Sequence, residues 1–319
     1  MKAVVYRKYG APDVLELTET DMPEVGDHDV LIRIKATAVN SGDCRLRKAD
    51  PFLVRLLFGL FKPRLPVLGV VFAGDVVKTG NSVTLFKEGD KLFGLSDTKM
   101  GTYAEYISLP ESAVMAKMPG NVNYEEAASI PFGGHTALYF LKKANIQSGQ
   151  KVLIYGASGA VGSAAVQIAK YFGASVTGVC STGNIDLVKS LGADKVLDYT
   201  NKDVAYLGFM FDIIFETVNK VSVTKISKLV KKDEVLILGS AMFIEALQGF
   251  WVSLTQGKKV IMGEAKATAE DMVFLKKLVE GGFLKPVIDR KFRLDQITLA
   301  HTYVDLGHKK GNVTIEMPG

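Results

Sequence analysis

KVLIYGASGAVGSAAVQIAK, residues 151–170, reads as a strand, a glycine turn and a helix. Residues 151–155 are a short β-branched and aromatic run, and from Ala160 onward Val161, Ala164, Ala165, Ile168 and Ala169 recur at helical spacing. The turn between them follows the dinucleotide-binding pattern, with Ala157 where the first glycine usually stands, then Gly159 and Gly162, and with Gly156 just ahead. Each position has a mechanical task. Gly156 and Ala157 let the chain reverse after the strand, Gly159 lets backbone N–H groups approach a pyrophosphate, and Gly162 lets the helix pack closely on the strand. Phosphate then sits at the positive end of the helix. Ser158, Ala160 and Val161 complete the turn and count with it as cofactor contacts. Ordinary strand-to-helix turns also carry glycines, so the surrounding chain has to support the reading.

It does so by repetition. Residues 175–180 form a second strand candidate after a helix of fitting length, and residues 195–199, 211–217, 234–239 and 258–263 continue the rhythm. Six such strands with helical or loop crossovers make an α/β Rossmann fold, a doubly wound parallel sheet with a dinucleotide across its switch point. In an NAD enzyme a carboxylate about twenty residues beyond the glycines grips the ribose hydroxyls. Cys180, Ser181, Thr182 and Gly183 stand there instead. An acid would repel a 2′-phosphate, whereas Ser181 and Thr182 donate hydrogen bonds to one, so NADPH is the expected cofactor. Tyr199 and Gly239, each ending a strand candidate, are further expected contacts. Lys189, Lys309 and Lys310 are candidate cations for the phosphate, Lys310 being the one retained; each taken singly reads equally well as a solvated lysine.

The 319 residues suit two domains, one for a cofactor and one for a substrate. Nearly half are hydrophobic, yet no run approaches a transmembrane length and the N-terminus, MKAVVYRKYG, lacks the apolar segment of a signal peptide. A soluble, cytoplasmic protein without stable membrane insertion is expected. The net charge of +5 is mild, and bases are interspersed with acids, so nucleic acid is not an expected partner. The two cysteines, Cys44 and Cys180, argue against a disulfide framework and read as small packing residues.

The first hundred residues are β-rich and irregular. Residues 3–6, 14–19, 29–39, 72–79, 91–94 and 101–109 are strand candidates separated by Pro, Gly and Asp turns. A helical run follows from Tyr124 towards Lys143. After Gly263, residues 269–280 and 294–306 are helical in pattern, residues 286–291 extended, and residues 312–316 a last strand.

Several segments in this order, AVVYRKYGAPDVLEL, DVLIRIKATAVNSGD, PVLGVVFAGDVVKTGNSVTLFKEGDKLFG, GTYAEY, AASIPFGGHTAL, SLGADKVLDY and GNVTI, together with the glycine turn, resemble the medium-chain dehydrogenase/reductase superfamily. The resemblance is specifically to its zinc-independent quinone oxidoreductase branch, the zeta-crystallin-like group, and runs nearly end to end. It implies a GroES-like catalytic domain made of residues 1–129 and 265–319, with the dinucleotide-binding domain, residues 130–264, inserted between them. It also implies an active site in the cleft, Thr136 near the nicotinamide ring, and a homodimer formed through the cofactor domain.

Zinc-dependent relatives hold the metal through a cysteine and a histidine–glutamate pair; the matching positions here carry Asn40, Val70 and Val71, a poor ligand and two impossible ones. The loop of residues 96–101 has no cysteine for a structural zinc site. His28, His135, His301 and His308 read as surface or structural, with His301 and His308 on a surface helix and His135 beside Thr136. No metal is expected. Without a Lewis acid the remaining chemistry is hydride donation to an acceptor activated by conjugation, a quinone or an α,β-unsaturated carbonyl, whose oxygen hydrogen bonds can steady. Asn40 is the candidate donor and Asp43 its orienting partner, although Asp43 equally suits a turn cap. Enoyl-thioester reductases related to this group use a tyrosine about eleven residues after the matching Asn. Asp50, Pro51 and Phe52 occupy that neighbourhood, which disfavours a thioester substrate and leaves water as the proton source. A nucleotide-binding protein without turnover is the alternative from another class.

Two apolar segments stand out. Residues 51–66, PFLVRLLFGLFKPRLP, read as a core helix or as a lid over an apolar substrate, with interfacial attachment a lesser third option. Residues 246–254, with Trp251, fall between the fifth and sixth strands of the cofactor domain and suit either the dimer contact or the substrate cleft.

Overall fold

A computed structural model describes the chain apart from residues 53, 97–98, 202–203, 205–209, 241–242 and 319. In order along the chain come β1 (Lys2–Val5), β2 (Glu16–Glu19), β3 (Asp29–Val39), α1 (Ser41–Lys48), α2 (Val54–Phe58), β4 (Val71–Thr79), β5 (Lys91–Leu95), β6 (Tyr106–Pro110), β7 (Met115–Lys117) and α3 (Tyr124–Lys143). Then follow β8 (Lys151–Tyr155), α4 (Ala160–Tyr171), β9 (Ser175–Cys180), α5 (Ile185–Ser190), β10 (Lys195–Asp198), β11 (Phe211–Glu216), α6 (Val223–Ser227), β12 (Val230–Leu238), α7 (Phe243–Gln256) and β13 (Lys259–Met262). The chain closes with α8 (Ala269–Glu280), β14 (Ile288–Arg293), α9 (Ile297–Asp305) and β15 (Asn312–Glu316).

Two compact units result. One comprises Met1–Phe132, Thr268–Glu280 and Pro286–Gly319, and the other Gly133–Ala267 and Gly281–Lys285. The second unit is a parallel sheet in the order β10-β9-β8-β11-β12-β13. Counted from β8 this is 3-2-1-4-5-6, the doubly wound order expected from the glycine turn, with the switch point between β8 and β11. Its central strands are buried on both faces, as in a parallel sheet covered by helices: all six residues of β11 are buried, and Leu153, Ile214 and Leu236 from three adjacent strands share one core.

The first unit is built on β3, the longest strand, which pairs antiparallel with β4, β6 and β15 in a sheet ordered β14-β15-β3-β4-β5-β7. Phe72, Tyr103, Leu92 and Ile32 are fully buried in its core. The candidate strand at residues 14–19 starts late because Pro12 opens a 3-10 turn, Pro12–Val14. The candidate at residues 101–109 begins only at Tyr106, since Met100 and Gly101 have φ of +50° and +96° and turn the chain. α1 and β7 were not anticipated: SGDCRLRK has no apolar stripe, and β7 has only three residues.

The apolar segment of residues 51–66 corrects one reading. As a core helix it would bury Phe52, Leu56, Leu57, Leu60 and Phe61, yet all five are exposed, Phe61 by 89%. The short α2 and the turn after it are held from beneath instead, by the Tyr9 hydroxyl donating to Gly59 O (2.8 Å) and by Arg55 against the Tyr9 ring. Residue 53 of this segment and residues 97–98 of the loop that lacks cysteines for a structural zinc site lie outside the described residues. Among the described residues no helix is long and apolar enough to cross a membrane.

Candidate functional site

In the second unit β8 delivers the chain into Gly156, whose φ of +83° reverses it. Gly156 N and Ala157 N both donate to Val179 O, at 3.1 and 2.9 Å, fixing the turn to β9. The glycines then separate into two kinds. A Cβ at Gly162 would come within 2.1 Å of Gly156 O and 2.9 Å of the Ala157 Cα, so α4 can pass the turn only without one. At Gly159 the nearest atom to a Cβ is Gly156 O at 3.6 Å, an ordinary contact. The first needs its glycine for internal packing, and the second leaves room outside the turn at the start of α4, where N–H groups without intrahelical partners favour an anion. Ser158, Ala160 and Val161 line the same turn, Ala157 being fully buried beneath it.

The loop after β9 is tied to this turn by a residue the sequence reading did not single out. The Asn184 amide donates to both Ser158 Oγ and Ser181 Oγ, each at 3.1 Å. Ser181 accepts that bond and retains its own O–H. Thr182 is differently placed: its hydroxyl donates to Asp198 Oδ2 at 2.6 Å, and Asp198, at the end of β10, also takes the Thr200 hydroxyl and the Asn201 amide. The Thr182 and Thr200 hydroxyls hold the Asp198 carboxyl below the usual carboxylate range. A carboxylate therefore is present beside Thr182, one strand further out than the position that sequence spacing tests. Tyr199 follows it, half-stacked on Tyr155 at 6.3 Å between centroids. Gly239 is explained by packing, since a Cβ there would lie 2.6 Å from the Phe215 ring. Gly133 of α3 presses on the start of α4, its missing Cβ 2.4 Å from Ala160 O, and Thr136, three residues on, shares that face.

The remaining assigned residues lie in the first unit. Lys310 is there, its backbone N–H on Asp289 Oδ2 at 2.9 Å, while Lys189 is exposed on α5 of the other unit. Asn40 and Asp43 are buried at the start of α1, with Asn40 N donating to Asp43 Oδ2 at 2.8 Å, so Asp43 contacts Asn40 as part of a helix capping box where a turn cap was the alternative expected. Asn40 Nδ2 has no hydrogen-bond partner, and neither has Asp43 Oδ1. Burial pushes the Asp43 carboxyl up to about 6, against the Asn40 N–H, which favours its charge. Val70 is half-buried and Val71 wholly so, next to Asn40 in the family's metal-ligand pattern; among the described residues no three His, Cys, Asp or Glu groups come together to hold an ion. The donor set does not fit zinc.

His301 corrects a second reading. It is not on a surface face of α9 but 0% exposed, between Arg47, Cys44 and Tyr103. His135 is also buried, on α3.

Comparison with known proteins agrees with this layout. Residues 26–120 match the alcohol dehydrogenase GroES-like domain, and residues 191–315 the zinc-binding dehydrogenase family. The chain is 36% identical to a 2-methylene-furan-3-one reductase of Solanum lycopersicum and 32% identical to an NADPH-dependent alkenal/one oxidoreductase, chloroplastic, of Arabidopsis thaliana. Both matches cover 99% of this chain and 79% of the relative. Among solved structures, the quinone oxidoreductase from Coxiella burnetii superposes with a TM-score of 0.91 at 28% identity, over 100% of this chain and 99% of that one.

Proposed function

The chain belongs to the medium-chain dehydrogenase/reductase superfamily, among its quinone and alkenal oxidoreductases, and from that premise we propose that it is an NADPH-dependent, zinc-independent reductase of quinones or α,β-unsaturated carbonyls. The observation that carries the reading is the pair of glycines at the turn, Gly162 closed by its own backbone and Gly159 open at the start of α4. Residues 130–264, which hold most of the second unit, are the dinucleotide-binding domain in this reading, and residues 1–129 with 265–319 the catalytic one. NADPH supplies the hydride. The turn from Gly156 to Gly162 takes the pyrophosphate, and Ser181, with Thr182 and Tyr199, the 2′-phosphate end. Of the two hydroxyls Ser181 is the stronger donor, because that of Thr182 is committed to Asp198. Thr136 borders the nicotinamide.

Asn40 Nδ2, buried and without a partner, donates to the acceptor's carbonyl oxygen as negative charge collects there, and Asp43 fixes the Asn40 backbone through its N–H. Water returns the proton. The exposed residues around α2 form an apolar wall for the acceptor. A homodimer through β13 is part of the same reading: β13 is an edge strand, and α7, which packs on it, exposes Ile244, Leu247, Trp251 and Leu254.

The test is NADPH oxidation by purified protein with a panel of quinones, enones and enoyl thioesters. Turnover of quinones or enones well above thioesters is expected. Preference for thioesters would replace the substrate class. Cofactor binding without turnover of any acceptor would leave a nucleotide-binding protein.

A further inference from the structure

Residues 44–66 carry six bases, Arg45, Arg47, Lys48, Arg55, Lys62 and Arg64, against one acid, Asp50, so the whole net charge of +5 resides in this segment and the rest of the chain is balanced. The same segment exposes Phe52, Leu56, Leu57, Leu60 and Phe61, Leu57 by 74% and Phe61 by 89%. Single apolar side chains on a surface are ordinary, but five large ones within residues 52–61 mark a contact with something apolar.

The fold builds this display. Gly59 N donates to Arg55 O at 2.9 Å and Arg64 N to Phe58 O at 2.8 Å, which closes residues 58–64 into a loop with Leu60 and Phe61 between its ends. The loop turns at Gly59, whose φ is +121° and where a Cβ would collide with Lys62 O. Phe58 and Leu65 pack against the core of the first unit, and Pro63 is buried. The outward residues are therefore a separate set, on a loop anchored by its neighbours and by the Tyr9 contacts beneath. The bases divide as well. Arg47 and Lys48 are paired with Asp305, at 2.5 and 2.8 Å, and Arg55 lies between the Tyr9 and Phe52 rings, 4.9 and 5.2 Å from their centroids. Arg45, Lys62 and Arg64 are exposed and have no ion pair among the described residues, and Lys62 and Arg64 stand on the loop that carries Phe61.

An apolar wall for an acceptor has no use for these cations, whereas an anionic bilayer does: its headgroups meet the bases while the apolar tip enters the boundary between headgroups and acyl chains. We propose that residues 52–64 are a peripheral docking loop for an anionic lipid surface, with Leu57, Leu60 and Phe61 entering the interface and Lys62 and Arg64 meeting the headgroups. Entry is shallow, since α2 has five residues. The proposal holds whichever acceptor the protein reduces.

Sedimentation of the full chain with lipid vesicles tests it. Vesicles of phosphatidylcholine and phosphatidylglycerol in equal parts should carry the protein down at low salt and release it at high salt, and vesicles of phosphatidylcholine alone should not bind it. Lys62→Gln with Arg64→Gln should weaken the partitioning about thirtyfold, at roughly a factor of five per base, and Phe61→Ala about tenfold. Both variants should melt with the parent, because the side chains removed are exposed. Equal binding to the two kinds of vesicle, or binding to neither, overturns the proposal. So does a loss confined to the charge variant, which is adsorption of a basic surface without entry. If Phe61→Ala binds vesicles like the parent and instead turns a dimer into a monomer in analytical ultracentrifugation, the face belongs to a second copy of the chain; if it alters only KM for the acceptor, the face is the acceptor's wall and nothing more.

Discussion

Gly159→Ala and Gly162→Ala, a pair of substitutions three residues apart, should have opposite consequences. At Gly162 the new methyl would lie 2.1 Å from Gly156 O and 2.8 Å from Gly156 C, all backbone atoms. Ordinary carbon–oxygen contact is near 3.2 Å, so α4 or the turn must yield by about 1 Å, and overpacking of this kind costs roughly 1–3 kcal/mol. At Gly159 the methyl has 3.6 Å to Gly156 O and a φ of −78° that alanine adopts freely. Losing glycine's unfolded-state freedom stabilises by about 0.4–1 kcal/mol, and alanine is poorer than glycine at an N-cap by a comparable amount, so the unliganded protein should change by less than about 0.5 kcal/mol. The methyl nevertheless occupies the space through which a pyrophosphate would meet the helix. Differential scanning fluorimetry with and without NADPH reads both effects. At a hundredfold excess over its dissociation constant NADPH should stabilise the parent protein by about 2.7 kcal/mol; Gly159→Ala should melt like the parent without cofactor and lose that shift, whereas Gly162→Ala should melt lower in its absence. A Gly159→Ala protein that keeps the full NADPH shift would refute the assignment of the open glycine to phosphate.

Ser181→Asp should weaken NADPH more than NADH, and Gly183→Lys, at an exposed position where a Cβ meets nothing within 4 Å, should strengthen NADPH; titration calorimetry with both cofactors checks the pair, and equal losses for both in Ser181→Asp would count against the 2′-phosphate site. Purified protein should contain no stoichiometric zinc by elemental analysis and should keep its activity after chelation, because Asn40, Val70 and Val71 offer no ligand set; activity lost to a chelator and restored by zinc is the contrary outcome. Leu57→Ala with Phe61→Ala should leave the melting temperature nearly unchanged, both side chains being exposed, and should raise KM for long apolar acceptors more than for small ones. An unchanged ratio between acceptors removes the apolar wall.

The sheet was legible because its signal is local and repeated. Runs such as KVLIY are apolar on both faces after the first residue, and only a covered parallel strand asks for that. The glycine turn was legible because steric demand leaves one residue type at Gly162. Neither advantage extends to Asp198 or Asn184. Asp198 reaches Thr182 from the neighbouring strand, through the pairing of Asp198 with Cys180, and no spacing along the chain encodes that contact. Asn184 lies in a short polar loop whose composition fits any turn.

Hydropathy misplaced two segments in opposite directions, and the cause is the same. Residues 52–61 are apolar enough for a core, and α9 carries a histidine, two threonines and an aspartate that look solvated. Average polarity measures what a segment would prefer if it were alone. Burial depends on what stands opposite, and α9 is buried at His301 because Arg47 and Tyr103 arrive from α1 and from the approach to β6 to satisfy both ring nitrogens. A polar residue with both partners supplied costs the core little, whereas removing one leaves a buried donor or acceptor bare at roughly 1–3 kcal/mol. Among the described residues around α2, Tyr9 meets only the backbone of Gly59 and the Arg55 side chain, while Phe52, Leu56, Leu57, Leu60 and Phe61 stay exposed. They remain on the surface for the reason that His301 does not.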